Sequence, residues 1–260
     1  MKVVGVLIDF DNIFPRPIIE YNEDGIKNVI VFVVQKIMSS LPSVDRFIIR
    51  LYGGWYENTS LTARASTLSS FIPTFNTVFP ILVPPKTIVQ GTVELATQLY
   101  GHSYIWYNTY REHDGLPKLR IKQSAISAQC ASNLDKCPVN ILKRFVDKKN
   151  RVCNITGCTT VHSSVFFSRT QKYVDTMMAC DIISFGTDDD FLGVYVLSDD
   201  VDLFPAFAMI HDLKATKAKM GLFITNPQNV VSYQSLLRPF DIDVALIKNI
   251  QSQPTVTYEA

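Results

Sequence analysis

The sequence predicts an α/β protein in which a mostly parallel sheet is flanked by helices. Short apolar runs rich in valine and isoleucine alternate with segments whose apolar residues recur at helical spacing. Near-continuous apolar runs are typical of parallel strands, which are buried on both faces. The alternation indicates βαβ units with right-handed crossovers, and such sheets bind their ligands at the carboxyl ends of the strands.

The first part of the chain contains three predicted strands and two predicted helices. Each strand is an apolar run that stops at a polar residue, a glycine pair or a proline pair. In chain order the elements are a strand from Val3 to Ile8, a helix from Gly25 to Leu41, a strand from Arg46 to Tyr52, a helix from Leu61 to Phe71 and a strand from Thr77 to Val83.

The rest of the chain divides into an irregular middle and a periodic end. The segment from Lys86 to Arg169 contains turn signals and shows no clear periodicity. Strands and helices alternate again after it. They are a helix from Tyr173 to Phe185, a strand from Gly193 to Leu197, a helix from Leu203 to Asp212, a strand from Lys219 to Thr225, a helix from Val230 to Leu237 and a strand from Asp243 to Ile247.

Length and composition suit one large domain. The chain has 260 residues, of which 47% are hydrophobic, so it can bury a sizeable core. We expect one domain over residues 1–260, with residues 117–160 as a basic, cysteine-bearing insertion. The N-terminal apolar run ends at Asp9, too early for a signal peptide or a membrane span. Five cysteines then indicate reduced thiols or metal ligands, and we expect a cytoplasmic protein without membrane contact.

The charge of the chain is unevenly distributed. Between Pro117 and Arg151 nine basic residues stand against two acidic ones, although the whole chain has a net charge of only +1. An acidic body with a basic segment suits an enzyme that acts on a polyanion, and a solvated basic loop is the alternative. The residues that we expect to contact phosphates are Lys143, Arg144, Lys148 and Lys149.

Three acidic clusters follow predicted strands or open predicted helices. They are Ile8-Asp9-Phe10-Asp11-Asn12, Lys172-Tyr173-Val174-Asp175 with Asp181 further along the helix, and Ser198-Asp199-Asp200-Val201-Asp202. Strand ends and helix starts lie at one edge of a parallel sheet, so we expect these clusters to converge. Crowded carboxylates repel each other, and Mg²⁺ or Mn²⁺ would relieve the repulsion.

Each acidic cluster also has a simpler explanation. Asp9 suits a turn, and Asp200 or Asp202 suits a helix N-cap. The run Thr187-Asp188-Asp189-Asp190 precedes a strand, so it falls at the opposite edge of the sheet, where we expect a solvated turn.

The ordered set of motifs resembles the NYN domain family of PIN-like ribonucleases. Ile8-Asp9-Phe10-Asp11-Asn12 is similar to the opening motif of that family, an aspartate followed three residues later by an asparagine. Lys172-Tyr173-Val174-Asp175 resembles its Lys-x-Val-Asp motif. The segment from Ser198 to Leu203 resembles its Ser-Gly-Asp-x-Asp-Phe motif, with Asp199 in the glycine place and Leu203 in the aromatic place. Tyr52-Gly53-Gly54-Trp55 resembles the end of its second strand.

The resemblance implies a Rossmann-like PIN fold with a central insertion and a metal-dependent ribonuclease, most simply an endoribonuclease. Its reaction would be hydrolysis of RNA phosphodiester bonds by metal-activated water. Asp9, Asp175, Asp200 and Asp202 would bind Mg²⁺ or Mn²⁺ and act in catalysis, and Asn12 and Ser198 would orient ligands or water. The RNA partner would be single-stranded or structured. The sequence leaves open whether the chain forms a homo-oligomer.

Four of the cysteines form a candidate structural zinc site. Cys130 and Cys137 make one pair and Cys153 and Cys158 the other. The spacing of the second pair is within the usual range for a four-thiolate site, and that of the first is long. Ordinary small buried residues are the alternative. Cys180 falls in a predicted helix, where we expect it in the core.

Aromatic residues in the middle segment are candidates for stacking on bases. They are Tyr104, Trp106, Tyr107 and Tyr110. Packing in strands or in the core is the alternative.

Two other functions remain alternatives to a ribonuclease. The first is a haloacid-dehalogenase-type phosphatase, because Asp9-x-Asp11 and Ser198-Asp199-Asp200 resemble motifs of that family. Ile13 stands where that family usually has Thr or Val, and no intermediate strand ends in the required Ser or Thr. The second is a PIN-like domain that binds RNA or a protein without cutting, although all four candidate acids are present.

Overall fold

A computed structural model describes residues 1–14, 23–41, 43–75, 78–83, 87–114, 156–159, 167–213 and 218–247. The chain forms two compact units. Met1–Thr109 and Gln171–Ala260 make up the first unit, and Tyr110–Thr170 makes up the second.

The described residues contain eleven strands and six α-helices. The strands are β1 (Val3–Asp9), β2 (Arg46–Tyr52), β3 (Tyr56–Glu57), β4 (Ser60–Leu61), β5 (Ile81–Val83), β6 (Thr87–Leu95), β7 (Tyr110–Asp114), β8 (Phe167–Gln171), β9 (Phe191–Leu197), β10 (Lys219–Ile224) and β11 (Asp243–Leu246). The helices are α1 (Phe10–Ile13), α2 (Glu23–Ser40), α3 (Ala63–Phe75), α4 (Val174–Thr187), α5 (Phe204–Leu213) and α6 (Val230–Leu237).

The first unit is built on a sheet in the order β11-β10-β9-β1-β2-β6-β5. All neighbouring strands in it pair in parallel except β5, which runs antiparallel to β6 at the edge. This confirms the predicted α/β class with a mostly parallel sheet flanked by helices, and the arrangement is Rossmann-like. No helix in the described part of the chain is long and apolar enough to cross a membrane.

Helices cover both faces of this sheet. On β1 the side chains of Val4, Val6 and Ile8 point to one core, which α2 and α3 complete. Val3 and Leu7 point to the other core, which α4, α5 and α6 complete. Burial of one large apolar side chain in either core contributes about 1.5–3 kcal/mol to stability. Burial on both faces explains why the central strands read as uninterrupted apolar runs.

The sheet reverses its direction of growth beside β1. From β1 the chain moves to β2 and then to β6 on one side, and it later returns to β9, next to β1 on the other side, before β10 and β11. The carboxyl ends of β1 and β9 therefore flank a topological switch point, where open α/β sheets bind their ligands.

Two predicted elements of the first half have different bounds in the structure. The strand expected from Thr77 to Val83 is described as β5 (Ile81–Val83). The helix expected from Leu61 to Phe71 is α3 (Ala63–Phe75), and Leu61 lies in β4. The segment taken as irregular from Lys86 onward begins with β6. Only one face of β6 is buried, with Val89 and Val93 in the core, so its sequence alternates and lacks the apolar run that marks the other strands.

A buried arginine links β2 to β6 and α4. Arg50 is 2% exposed and forms an ion pair with Asp181, which is 1% exposed. Its Nε donates to Glu94 Oε1 at 2.7 Å, and its Nη2 donates to the carbonyl oxygen of Gln98 at 2.6 Å. These three acceptors satisfy a charge that would otherwise be costly to bury.

The Asp181 carboxylate is used by this buried network. It accepts hydrogen bonds from the Tyr52 hydroxyl and, at 2.9 Å, from the Tyr100 backbone N–H. Asp181 therefore links the buried face of α4 to the sheet. The expectation that its carboxylate joins the other acids at the carboxyl ends of the strands was wrong. Asp175 lies six residues earlier, at the start of the same helix.

Candidate acidic site at the carboxyl ends of the central strands

Asp9 and Ser198 lie side by side where β1 and β9 end. Ile8 is in register with Leu197, so the two residues that follow them are neighbours. Asp9 is 6% exposed and Ser198 is fully buried. The Ser198 hydroxyl donates to Asp9 Oδ2 at 2.9 Å. The apolar strands thus place a carboxylate and a hydroxyl at the switch point.

The second oxygen of the Asp9 carboxylate caps helix α1. Asp9 Oδ1 accepts a hydrogen bond from the Asn12 backbone N–H at 3.2 Å. Both oxygens therefore have a donor, which fixes the carboxylate in one orientation. Asn12 contacts Asp9 through its backbone, and its side chain is exposed. The prediction that this side chain orients ligands or water stays a prediction.

Asp200 and Asp202 follow β9 in a tight helical turn. Asp200 is the N-cap of that turn, because its Oδ1 accepts from the Asp202 backbone N–H at 2.9 Å. The Asp200 N–H in turn donates to the Ser198 hydroxyl at 3.0 Å. Ser198 therefore connects the backbone of Asp200 to the carboxylate of Asp9.

Asp175 lies in the first turn of α4. Partial desolvation raises the pKa of its carboxyl, and the negative charges of Asp200 and Asp202 raise it further. A carboxyl responds in this way to like charges only at short range. The charges of the two acids that follow β9 therefore act on the Asp175 carboxyl, although the Asp175 side chain is exposed.

The carboxyl of Asp9 is the most perturbed acid of this group. Burial raises its pKa from 3.8 to about 6, against the lowering effect of the hydrogen bonds from Ser198 and Asn12. The charges of Asp175 and Asp200 add to the rise. All four acids predicted as ligands therefore interact electrostatically at one edge of the sheet, and we call Asp9, Asp175, Asp200 and Asp202 the acidic site.

The chemistry of the acidic site suits a hard divalent cation. Carboxylate oxygens are the preferred ligands of Mg²⁺ and Mn²⁺, and a cation would offset the negative charges that, together with burial, raise the pKa values of Asp9 and Asp175. Within the described ranges, no group of three or more His, Cys, Asp or Glu side chains could hold a metal ion as the side chains lie. The donor set of the acidic site therefore suits a divalent ion by its chemistry, but the described side chains are not arranged as a metal site.

Asp11 has a different task from Asp9, although the two are nearly adjacent. Its carboxylate forms an ion pair with Arg64 of α3 and accepts from the Gly54 N–H at 3.1 Å and from the Gln171 side-chain amide. The guanidinium of Arg64 also lies 4.5 Å from the Phe10 ring centroid. Asp11 thus anchors the loop after β2 to α3.

The carboxylate of Asp199 makes its hydrogen bonds with residues outside the acidic site. Its carboxylate accepts from the backbone N–H groups of Thr225 and Asn226 at 3.0 and 3.1 Å and from the Thr225 hydroxyl. The Tyr233 hydroxyl donates to the Asp199 carbonyl oxygen at 2.8 Å. The residue in the glycine place of the family motif therefore fixes the end of β10 to the loop after β9.

The remaining predicted site residues fall mostly outside the described residues. These are Cys130, Cys137 and Cys153 of the candidate zinc site, and the basic residues Lys143, Arg144, Lys148 and Lys149. Cys158 is partly buried in the second unit. Cys180 lies in α4 as expected, but it is exposed, because α4 packs its opposite face, with Met177 and Asp181, on the sheet.

Comparison of the chain with protein-family models, with curated proteins and with solved structures gives no match. The fold and the site nevertheless define a class of protein. It is a doubly wound α/β protein with an acidic cluster at the switch point of its parallel sheet.

Proposed function

We propose that the protein is a divalent-metal-dependent ribonuclease of the PIN-like class that hydrolyses RNA phosphodiester bonds. The observation that carries the proposal is the buried Asp9 carboxyl at the switch point, whose pKa is raised by burial and by Asp175 and Asp200. Perturbed carboxyls that share one cleft are typical of functional sites. The resemblance of the surrounding motifs to NYN domains supports the same activity.

In this proposal, four acids bind the metal and one serine positions one of them. Asp9, Asp175, Asp200 and Asp202 would hold the cation, and Ser198 keeps the Asp9 carboxylate in place through its 2.9 Å hydrogen bond. When bound, such a cation supplies Lewis-acid chemistry, which makes a nearby water more acidic and offsets negative charge on the phosphate. Asp200 is partly buried, and its carboxylate caps its own turn by accepting the Asp202 N–H.

RNA as the substrate is supported by the resemblance and by the basic stretch of the sequence. Phosphate contacts by Lys143, Arg144, Lys148 and Lys149 would supply the attraction that an acidic site by itself opposes. A zinc ion on Cys130, Cys137, Cys153 and Cys158 would order the stretch that carries them. These two parts of the proposal depend on the sequence.

We expect the wild-type protein to cleave labelled RNA with Mn²⁺ or Mg²⁺ and to stop in EDTA. Asp200→Asn should lower the cleavage rate by about 100-fold or more, because loss of a ligand should exceed the cost of losing a second-shell partner. Asparagine is also a good N-cap, so the turn after β9 should keep its structure. Gel analysis of time courses gives the rates, and circular dichroism checks the fold.

The matched control is Asp189→Asn, which removes one carboxylate from the exposed turn before β9, at the opposite edge of the sheet. It should cleave as fast as the wild type. An Asp200→Asn variant with full activity would show that the acidic site is assigned wrongly. Tight RNA binding without cleavage by the wild type would favour the non-catalytic alternative, and hydrolysis of phosphate monoesters alone would favour the phosphatase.

We also expect Mn²⁺ or Mg²⁺ to stabilise the folded protein. An ion that binds only the folded state at a hundredfold excess over its dissociation constant raises the free energy of unfolding by about 2.7 kcal/mol. Thermal melting with and without Mn²⁺ measures the effect, and Asp200→Asn should reduce it while Asp189→Asn should not. Equal melting temperatures with and without millimolar Mn²⁺ would contradict a metal site.

A further inference from the structure

Three aromatic side chains form a connected group, and one of them stands two residues before Asp175 of the acidic site. We call Tyr104, Trp106 and Tyr173 the aromatic strip. The Tyr104 and Trp106 ring centroids are 5.3 Å apart, and those of Trp106 and Tyr173 are 5.6 Å apart. Tyr104 is 68% exposed and Tyr173 is 44% exposed. Trp106 between them is partly buried against the core. The strip therefore offers exposed ring surface on a fixed base.

The backbone holds the strip in place. Trp106 donates its N–H to the Thr97 carbonyl oxygen at 2.9 Å, and the Lys172 N–H donates to the Thr109 carbonyl oxygen at 3.0 Å. The second bond ties the segment that carries Tyr104 and Trp106 to the start of α4. Alternation along an extended segment places Tyr107 elsewhere, and its ring packs on Tyr56 at 5.0 Å.

Tyr173 joins the strip to the acidic site. It is the N-cap residue of α4, two positions before Asp175, and its side chain makes no capping hydrogen bond. Its φ of 68° lies in the left-handed region, which is unfavourable for a tyrosine. Such strain is tolerated where the surrounding structure or a function requires it. The Tyr173 ring lies on the surface beside Trp106.

We infer that the aromatic strip stacks on bases of single-stranded RNA and guides the strand to the acidic site. Stacking on exposed Tyr and Trp rings is the usual way in which proteins grip single strands, and it accepts any base. A duplex does not offer its base faces, so the strip selects for unpaired nucleotides. The exposed Lys172 next to Tyr173 adds a positive charge that attracts the phosphate backbone of the RNA. The inference rests on the proposed function.

The test is a binding titration of the full-length protein without added metal, so that no cleavage occurs. The probes are a fluorescein-labelled oligouridylate of roughly twelve nucleotides, within the range that such sites cover, and an abasic strand of the same length and charge. Tyr104→Ala should weaken binding of the oligouridylate by about tenfold and leave binding of the abasic strand unchanged. Tyr104→Phe should bind as the wild type, because stacking needs the ring and not the hydroxyl.

Tyr107→Ala is the matched control, because it removes a half-exposed tyrosine whose ring lies on Tyr56. It should bind both probes as the wild type. The fluorescence of Trp106 also measures binding directly. Since Trp55, the other of the two tryptophans, is fully buried, quenching by the oligouridylate and not by the abasic strand would come from Trp106.

The inference is overturned if Tyr104→Ala binds the oligouridylate as well as the wild type, or if it loses affinity for both probes equally. Absence of oligouridylate binding by the wild type also overturns it. Cleavage assays with Mn²⁺ test the proposed function separately. A wild type that never cleaves RNA refutes the nuclease, while the two probes still decide whether the strip stacks on bases.

Discussion

Replacement of Arg50 by Met should lower the free energy of unfolding by about 3–5 kcal/mol. The substitution leaves the Asp181 carboxylate buried without its cation, and Glu94 and the Gln98 carbonyl oxygen lose their donors. Breaking one side of a buried ion pair is much more costly than the pair itself is favourable, because the remaining charge is desolvated and uncompensated. Urea denaturation followed by circular dichroism measures the loss.

The matched control is Lys219→Met, which breaks the solvent-exposed pair of Lys219 with Asp243, 3.0 Å apart. It should cost less than about 1 kcal/mol, since water screens the pair. The loss in Arg50→Met should shrink at low pH. Burial raises the pKa of the Asp181 carboxyl and Arg50 opposes that rise, so without Arg50 the carboxyl protonates more readily in the folded state. Equal losses for the two variants at neutral pH would contradict the argument.

The sequence predicted those elements whose local pattern matches their environment. Strand β2 and helix α6 have the predicted bounds. Strands β1, β9 and β10 differ by one or two residues at one end, and α4 differs by one or two residues at each end. Each central strand is buried on both faces, so its apolar run is unmistakable. The sequence did not predict strand β6, because one of its faces carries the polar residues Gln90 and Glu94. The Glu94 carboxylate pairs with Arg50. The hydrophobic periodicity of a sequence does not indicate such an ion-pair partner.

The candidate site could be predicted in part for a similar reason. Asp9 stands directly after one apolar run and Asp200 three residues after another, and in a parallel sheet the carboxyl ends of such strands lie at one edge. The partners of Asp11, Asp181 and Asp199 could not be inferred, because each is set by tertiary contacts with residues far along the chain. Three aspartates of the same motifs therefore fix the fold, and the four others make the acidic site.

The acidic site should reduce the stability of the metal-free protein. Asp9 has a pKa of about 6 in the folded state, against 3.8 for an ordinary aspartate. Below the lower value the carboxyl is protonated in both the folded and the unfolded state, and nothing is lost. As the pH rises towards 6 the unfolded state releases its proton more readily, so stability falls by about 3 kcal/mol in total and stays lower above that pH.

Asp9→Asn should therefore be more stable than the wild type by about 2–3 kcal/mol in EDTA at neutral pH, and about equally stable near pH 4. The asparagine amide remains neutral, and its oxygen can still accept the Asn12 N–H that caps α1. Saturating Mn²⁺ should reverse the order, because it stabilises the wild type and not the variant. Urea denaturation at the two pH values, with EDTA or Mn²⁺, measures all four cases. If Asp9→Asn is less stable than the wild type at neutral pH without metal, burial of the Asp9 charge is not a source of strain, and the carboxylate serves the fold as Asp11 and Asp199 do.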